Sequence, residues 1–502
     1  MKICTTTKIE DPAGDLIVPV TPSMAPLDKN EMIRNLTGGN QERFLKDLDT
    51  GKGETGTTYS GNNRITFLGL GEKTGFGSHY AIFRNFSRRQ GKKMGEKISL
   101  CLDVPNMDHT GLAEAAVNGL VTGSYENGIL KSNQANGNGN VNAFGDPGTV
   151  LTVYSPRAGD DGFAGACFHG QVIAETQKRV MELINIPSNR KSPDFMVKWA
   201  QESARKFDYQ VQVFDLERIR KEGMSALEAV NRGSEHPAVF MVLEYNGSKP
   251  GKTVNIGLVG KGVLYDTGGL SIKPTSSMQF MKSDMSGAAT VMGTMEAAAR
   301  LKLPVSLIAA IPVTDNLIDS RSVKPGDVIG SYSGKTIEVI DTDAEGRLIL
   351  ADALSWLVKN SDAKHIVDVA TLTGDAVRSL GFHAAALFSN DNDLAAWLTD
   401  VGNRCGERLW QLPLWEEYLD ELGSDVADLR NLGTKPVGGA ITAAKFLEQF
   451  IGSHTSWAHL DVAGTAFGDT EFGKQKNATG FGIRLLVSFI EEAANKAAEG
   501  KR

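Results

Sequence analysis

From residue 238 onward the chain repeats one pattern. Short runs that are apolar throughout alternate with longer runs of helical spacing. The apolar runs are AVFMVLEY (238–245), TVNIGLVG (253–260), VSLIAAIPV (305–313), TIEVI (336–340), HIVDVATL (365–372) and WAHLDVAG (457–464). Among them lie SGAATVMGTMEAAARL (286–301), the segment from Glu345 to about Asn360, and GGAITAAKFLEQFI (438–451). A strand that is apolar on both faces must be covered on both. The pattern therefore predicts an α/β domain with a sheet between layers of helices. In such sheets ligands bind beyond the carboxyl ends of the strands. Acidic residues fall in those places: Asp266 after NIGLVGKGVLY, Asp343 after TIEVI, and Asp461 at the end of the strand in WAHLDVAG.

The 502 residues exceed one comfortable core, so a second domain is expected. The first part is less regular. RITFLGLG (64–71) and KISLCLDV (97–104) read as strands, and TGLAEAAVNGLVTGSY (110–125) as a helix. SNQANGNGNVNAFGDPG (132–148) has no apolar period and reads as a long polar loop. The glycines of GLGEKTG (69–75) miss the dinucleotide fingerprint by one residue and read as a plain strand-to-turn. CFHGQVIAETQKRVMELINIPSN (167–189) carries Val172, Ile173, Val180, Leu183 and Ile184 at helical spacing and is stopped by Pro187. The expected division is a smaller N-terminal α/β domain over 1–166, a connecting helix over 167–190, and a catalytic domain over 191–502.

The net charge of −7, with no strongly basic half, argues against a dedicated nucleic-acid coat protein. No apolar run approaches ~20 residues, so no membrane span is expected. The opening MKICTTTKIEDPAGD lacks the apolar core of a secretion signal. Cys4, Cys101, Cys167 and Cys405 are scattered without a CxxC pair, which indicates neither a thiolate zinc site nor a disulfide framework. A cytoplasmic chain is the expectation.

Two segments carry the chemistry. VGKGVLYDTGGLSIKPTSSMQFMKSDMSGAA (259–289) offers Lys261, Asp266, Lys273 and Asp284; DTDAEGRL (341–348) offers Asp343, Glu345 and Arg347. Four carboxylates in one crevice raise one another's pKa unless cations neutralise them. Hard divalent cations take oxygen ligands and tolerate bridging carboxylates. Two such ions, +4, would balance Asp266, Asp284, Asp343 and Glu345, −4, and would generate a nucleophile from water near neutral pH. Each acid alone also fits a blander role: Asp343 as a helix cap, Glu345 in a first helical turn.

The segments GKGVLYDTGGLSIKP, MKSDMSGAA and TDAEGRL resemble the leucyl aminopeptidases, the di-metal cytosol aminopeptidase family. DVATLTG (368–374), LPLWEEYLDELGSDVADLRNLG (412–433), GGAITAAKFL (438–447) and WAHLDVAGTA (457–466) extend the likeness, which runs from about 165 to 490. The resemblance implies one metal on Lys261, Asp266, Asp284 and Glu345, and a more exchangeable one on Asp266, Asp343 and Glu345. It implies Lys273 as the group that polarises the scissile carbonyl. Arg347 would hold a bicarbonate that acts as base. Met281, Thr371, Gly374, Ala463 and Ala466 would form the pocket for the N-terminal side chain. It further implies Leu-like specificity, a homohexamer, and zinc or manganese as the metal, with cobalt and magnesium as alternatives. A non-catalytic relative that keeps the fold, or an added nucleic-acid-binding role, is the rival reading; the intact ligand set and the acidic balance argue against them.

Two positions depart from the family pattern. Asp341 stands where Asn is usual, and Asp375 follows TLTG where a small residue is usual. Asp375 beside the substrate cleft could favour basic N-terminal residues, while Asp341 has no expected role.

Overall fold

The computed structural model describes every residue except 10–13, 40, 73–74, 128–129, 132–140, 248–254, 470–475 and 500–502. The polar stretch 132–140, the middle of GLGEKTG and the first two residues of TVNIGLVG thus lie outside the described residues. The chain divides into two compact units, Met1–Lys178 and Arg179–Arg502. The division falls inside the helix Phe163–Asn185.

The first unit holds a six-stranded sheet. In chain order its strands are β1 (Lys2–Thr6), β2 (Asp15–Val20), β3 (Thr55–Ser60), β4 (Asn63–Gly69), β5 (Lys97–Cys101) and β6 (Val150–Tyr154). Their spatial order is β1-β6-β5-β2-β4-β3, parallel throughout except for the β3–β4 hairpin. The central strand β2 is buried along its whole length. The sequence analysis did not single it out; DLIVPV contains a proline, a residue that within sheets is usual at edges. Here Pro19 sits in a strand paired on one side with β5 only as far as Ile17, so its missing N–H costs no ladder bond.

The second unit is built on a mixed sheet. Its strands are β7 (Gln210–Phe214), β8 (Val239–Asn246), β9 (Asn255–Gly260), β10 (Gly262–Asp266), β11 (Ser306–Asn316), β12 (His365–Ala370), β13 (Ala385–Ser389), β14 (Leu409–Gln411) and β15 (Trp457–Asp461). The order is β14-β13-β15-β12-β9-β11-β8-β7, with β10 continuing alongside β11. The centre, β15-β12-β9-β11, is parallel; β13, β8 and β7 turn the flanks antiparallel. One face is covered by the helix α1 (Glu345–Asn360), whose Leu348–Leu357 stretch packs with Phe240, Val259 and Trp457. The helices Ser286–Leu301 and Ile483–Ala498 pack together elsewhere on this sheet. All five carboxyl ends, of β9, β10, β11, β12 and β15, open toward one region, and the acidic residues gather there.

TIEVI does not join this sheet. Only Ile337–Glu338 is strand, in a small separate ladder with Val328–Ile329 and Leu429–Arg430. The backbone leaves the ladder because the Ile340 N–H turns to the Asn431 side chain at 2.7 Å. Asp343 therefore reaches the region from an irregular turn rather than from a central strand.

Candidate metal centre

Lys261 lies in the one-residue joint between β9 and β10. Its backbone is locked from both sides: its N–H donates to Val369 O and its carbonyl accepts from Ala288 N. The Lys261 side chain runs past Gly346, where a Cβ would collide with it. Glycine at 346 is thus what lets a lysine enter the first turn of α1. Its Nζ stands 2.9 Å from Asp284 Oδ2 and 2.9 Å from Glu345 Oε1, and donates to Thr371 O at 3.0 Å.

Asp266 closes β10. Its Oδ1 accepts from Gly268 N at 2.9 Å and Asn316 Nδ2 at 2.8 Å, which aims Oδ2 at Lys273 Nζ, 2.8 Å away. Gly268 has φ +87° and sits against Asp343, so only glycine fits that turn. Lys273 also contacts Asp343 Oδ1. Asp284 follows the short turn Met281–Ser283 and accepts from Thr371 Oγ1 at 2.9 Å. Glu345 is the first residue of α1.

Carboxylate oxygens of Asp266, Asp343 and Glu345 come within 4.8 Å of one another. Burial raises the pKa of Asp284 and Glu345, and the neighbouring carboxylates add to it; Asp343 is pushed to about 7 by burial and by Asp266. Burial would lower both lysines, yet the acids around them win and raise Lys261 and Lys273. Both oxygens of Glu345 and Oδ2 of Asp284 lack any hydrogen-bond partner. Of these, Asp284 Oδ2 and Glu345 Oε1 meet the Lys261 ammonium as ion pairs. Buried carboxylates with so few donors, converging with an amine, fit a divalent cation. Among the described residues no histidine belongs to the group. His459 is committed to Asp368.

A cavity of about 660 Å³ opens over the group. Lys261, Asp266, Lys273, Asp284, Asp343 and Arg347 line it, as do Met281, Thr371, Gly374 and Ala463. Glu345 and Ala466 do not; Glu345 lies beneath, beside a small inner cavity shared with Asn316 and Thr342. Arg347 is buried, donates Nη1–H to Asn431 O at 2.8 Å, and leaves Nε without a partner. Burial lowers its pKa to about 10 despite the acids nearby.

The two departures acquire places. Asp341 Oδ1 accepts the Asp343 N–H at 2.8 Å, bending the turn that presents Asp343. Asp375 is engaged through both oxygens, one by Gly439 N–H at 2.7 Å and one by Arg378. It does not stand free to meet a basic substrate side chain. Other residues here escaped sequence reading. Asn316 donates its side-chain amide to Asp266, and Asn431 donates its own to the Asp341 backbone carbonyl. Asp461, which its place at a strand end marks in the sequence, ties the Leu372 N–H, the Thr373 hydroxyl and the Ala463 N–H together. A polar residue ending an apolar strand, as Asn316 does, was the available signal.

Residues 178–487 match the sequence profile of the cytosol aminopeptidase family, catalytic domain. The chain is 39% identical over 498 residues to a probable cytosol aminopeptidase of Chlorobium limicola, covering 95% of this chain and 96% of the relative. A probable cytosol aminopeptidase of Chlorobaculum tepidum is 48% identical over 322 residues, 64% of either chain. Among solved structures, a mutant of tomato leucine aminopeptidase superposes with a TM-score of 0.84 at 28% identity, covering 98% of this chain and 96% of the other. The bottromycin maturation enzyme BotP in complex with Mn gives 0.81 at 29% identity, covering 96% and 100%. With the fold, the acid cluster and these likenesses in agreement, the chain belongs to the cytosol aminopeptidase family of metal-dependent peptidases.

Proposed function

We propose that the protein releases N-terminal residues, Leu-like ones preferred, from peptides, using two divalent ions held by Lys261, Asp266, Asp284, Asp343 and Glu345. The observation that carries this reading is the convergence of Asp266, Asp343 and Glu345 to within 4.8 Å beneath a cavity edged by Lys273 and Arg347. When bound, the ions supply Lewis acidity and a water acidic enough to attack near neutral pH.

The chain's own residues do the rest. Asp284, on the cavity wall beside the ion that Lys261 would hold, would meet the free amine of the substrate, a group that a blocked N-terminus lacks. Lys273, on the cavity edge with its ammonium paired to Asp266 and Asp343, stabilises the oxyanion that develops on the scissile carbonyl. Arg347 has one free buried N–H at Nε and faces the cavity, a setting for bicarbonate as proton acceptor. Met281, Gly374 and Ala463, with Phe280 and Phe467 beside them, give the N-terminal side chain apolar walls; Thr371 and the buried Ala466 complete the pocket. Zinc or manganese suits the mixed oxygen and amine ligands, with cobalt and magnesium as alternatives. The working form is a homohexamer in the cytoplasm, acting on peptides.

The test is elemental analysis, then reconstitution with each metal and a Leu-amide assay. Lys273→Ala should lower turnover by ~10²–10³-fold with metal retained, the loss of an oxyanion stabiliser. Glu345→Ala should lose metal instead. Near-normal activity in either variant would overturn the assignment.

A further inference from the structure

Beyond Met281 the cavity wall turns aromatic. Phe280, Phe382 and Phe467 line it, and the rings of Phe280 and Phe467 lie 6.0 Å apart. Lys476 completes this end. Its Nζ is 5.0 Å from the centre of the Phe382 ring and 5.9 Å from that of Phe280. Among the described residues no carboxylate pairs with it; the two aromatic faces hold it instead. A cation–π contact fixes an ammonium without cancelling its charge. The other acid on this wall, Asp375, is spent on Gly439 and Arg378. Arg378 thereby has a carboxylate partner; among the described residues Lys476 has none. The floor of the cavity sets four acids against Lys261 and Lys273, whereas the aromatic end carries an exposed ammonium with no carboxylate partner among the described residues, so this end is the more positive.

We propose that this end of the cavity is a carboxylate subsite for the N-terminal side chain of the peptide, with Lys476 pairing the terminal carboxylate of an N-terminal glutamate. The proposal rests on reading Met281, Ala463 and Ala466 as the pocket for that side chain. Phe280 directly precedes Met281, and Phe280, Phe467, Met281 and Ala463 line one cavity, so the aromatic end continues the same pocket. Leucine meets the aromatic walls alone. Glutamate covers its methylenes with the same rings and presents a charge to the ammonium. Glutamine has the same shape without the charge, which makes it the control.

The experiment compares kcat/KM for Leu, Glu and Gln 7-amido-4-methylcoumarin substrates with the metal-loaded enzyme. Wild type should favour Glu over Gln by about fivefold, the scale of a partly exposed ion pair. Lys476→Gln should bring that ratio near one, and Lys476→Arg should keep it. The ratio is insensitive to a general loss of activity. A wild-type ratio at or below one, or a ratio unmoved by Lys476→Gln, would overturn the subsite. So would a Lys476→Gln effect confined to the ratio of Leu-Gly to Leu-Gly-amide, which would place the carboxylate beyond the scissile bond. Failure of wild type to cleave the Leu substrate would instead count against the aminopeptidase reading itself.

Discussion

At the scale of single residues, the site was legible wherever a residue offers a metal-seeking atom, and opaque where it only braces one. Asp266, Asp284, Asp343 and Glu345 stand out as acids in glycine-rich loops, but Asn316 and Asn431 act through amides whose partners lie far away in sequence. Asp341 belongs to the second kind. It accepts the Asp343 N–H, and an asparagine carbonyl can do the same. Asp341→Asn should therefore leave Leu-amide turnover and metal affinity within about twofold; a larger loss would show that the third charge of the turn matters in itself. Asp343 yields a pH prediction. In the acid cluster its pKa stands at about 7, raised first by burial and then by Asp266. A carboxyl must be ionised to ligate a metal, so affinity should weaken as the pH falls through about 7. Metal uptake should release more protons near pH 6 than near pH 8, read by titration calorimetry in buffers of different ionisation enthalpy. Equal release at both would contradict the raised pKa.

At the scale of elements, long apolar runs located β8, β9, β11, β12 and β15, because nothing but a buried sheet accommodates them. The short runs were ambiguous: TIEVI became two residues of a side ladder, and the turn carrying Asp284 has no periodic signal at all. That turn is fixed from behind. Lys191, fully buried, donates to Leu183 O, Ile184 O and, at 2.8 Å, Lys282 O, while Lys282 Nζ returns a bond to Asn185 O. Two ammoniums thus sit on the last carbonyls of the helix Phe163–Asn185, where the helix dipole favours cations. Burial, aided by Lys282, lowers the pKa of Lys191 to about 7. Its unfolded value is about 10.4. Between those limits the unfolded chain binds more protons, so stability rises with pH across that window and the full burial penalty persists below it. Lys191→Met removes the titration. The gain in Tm from about pH 7.5 to 9.5 should be larger for wild type than for this variant, whatever their absolute Tm values; equal gains would mean that Lys191 titrates normally.

At the scale of the whole molecule, a second compact unit was readable from the chain length and the change in pattern, but neither the division after Lys178 nor any assembly was. Charge and hydropathy average over the surface, and side chains that an assembly would cover look like any others in a sequence. In the second unit, Trp410, Trp415, Val426 and Val437 are each more than 60% exposed. Single exposed apolar residues need no explanation, but two tryptophans within six positions are unusual on a surface that meets only water. Strand β14 holds Trp410 by its backbone, and Trp415 stacks at 6.2 Å on Tyr418, so neither is free to fold back into the core. Closed homo-oligomers bury such side chains at repeated, identical contacts, so one substitution strikes every interface at once. If the proposed homohexamer uses this surface, light scattering should give six times the chain mass for wild type. Trp410→Asp with Trp415→Asp should then give smaller species with an unchanged far-ultraviolet circular dichroism spectrum, since neither ring contributes to the core. A wild-type monomer at micromolar concentration would remove the hexamer. A double variant that still scatters as a hexamer would move the interface away from these tryptophans.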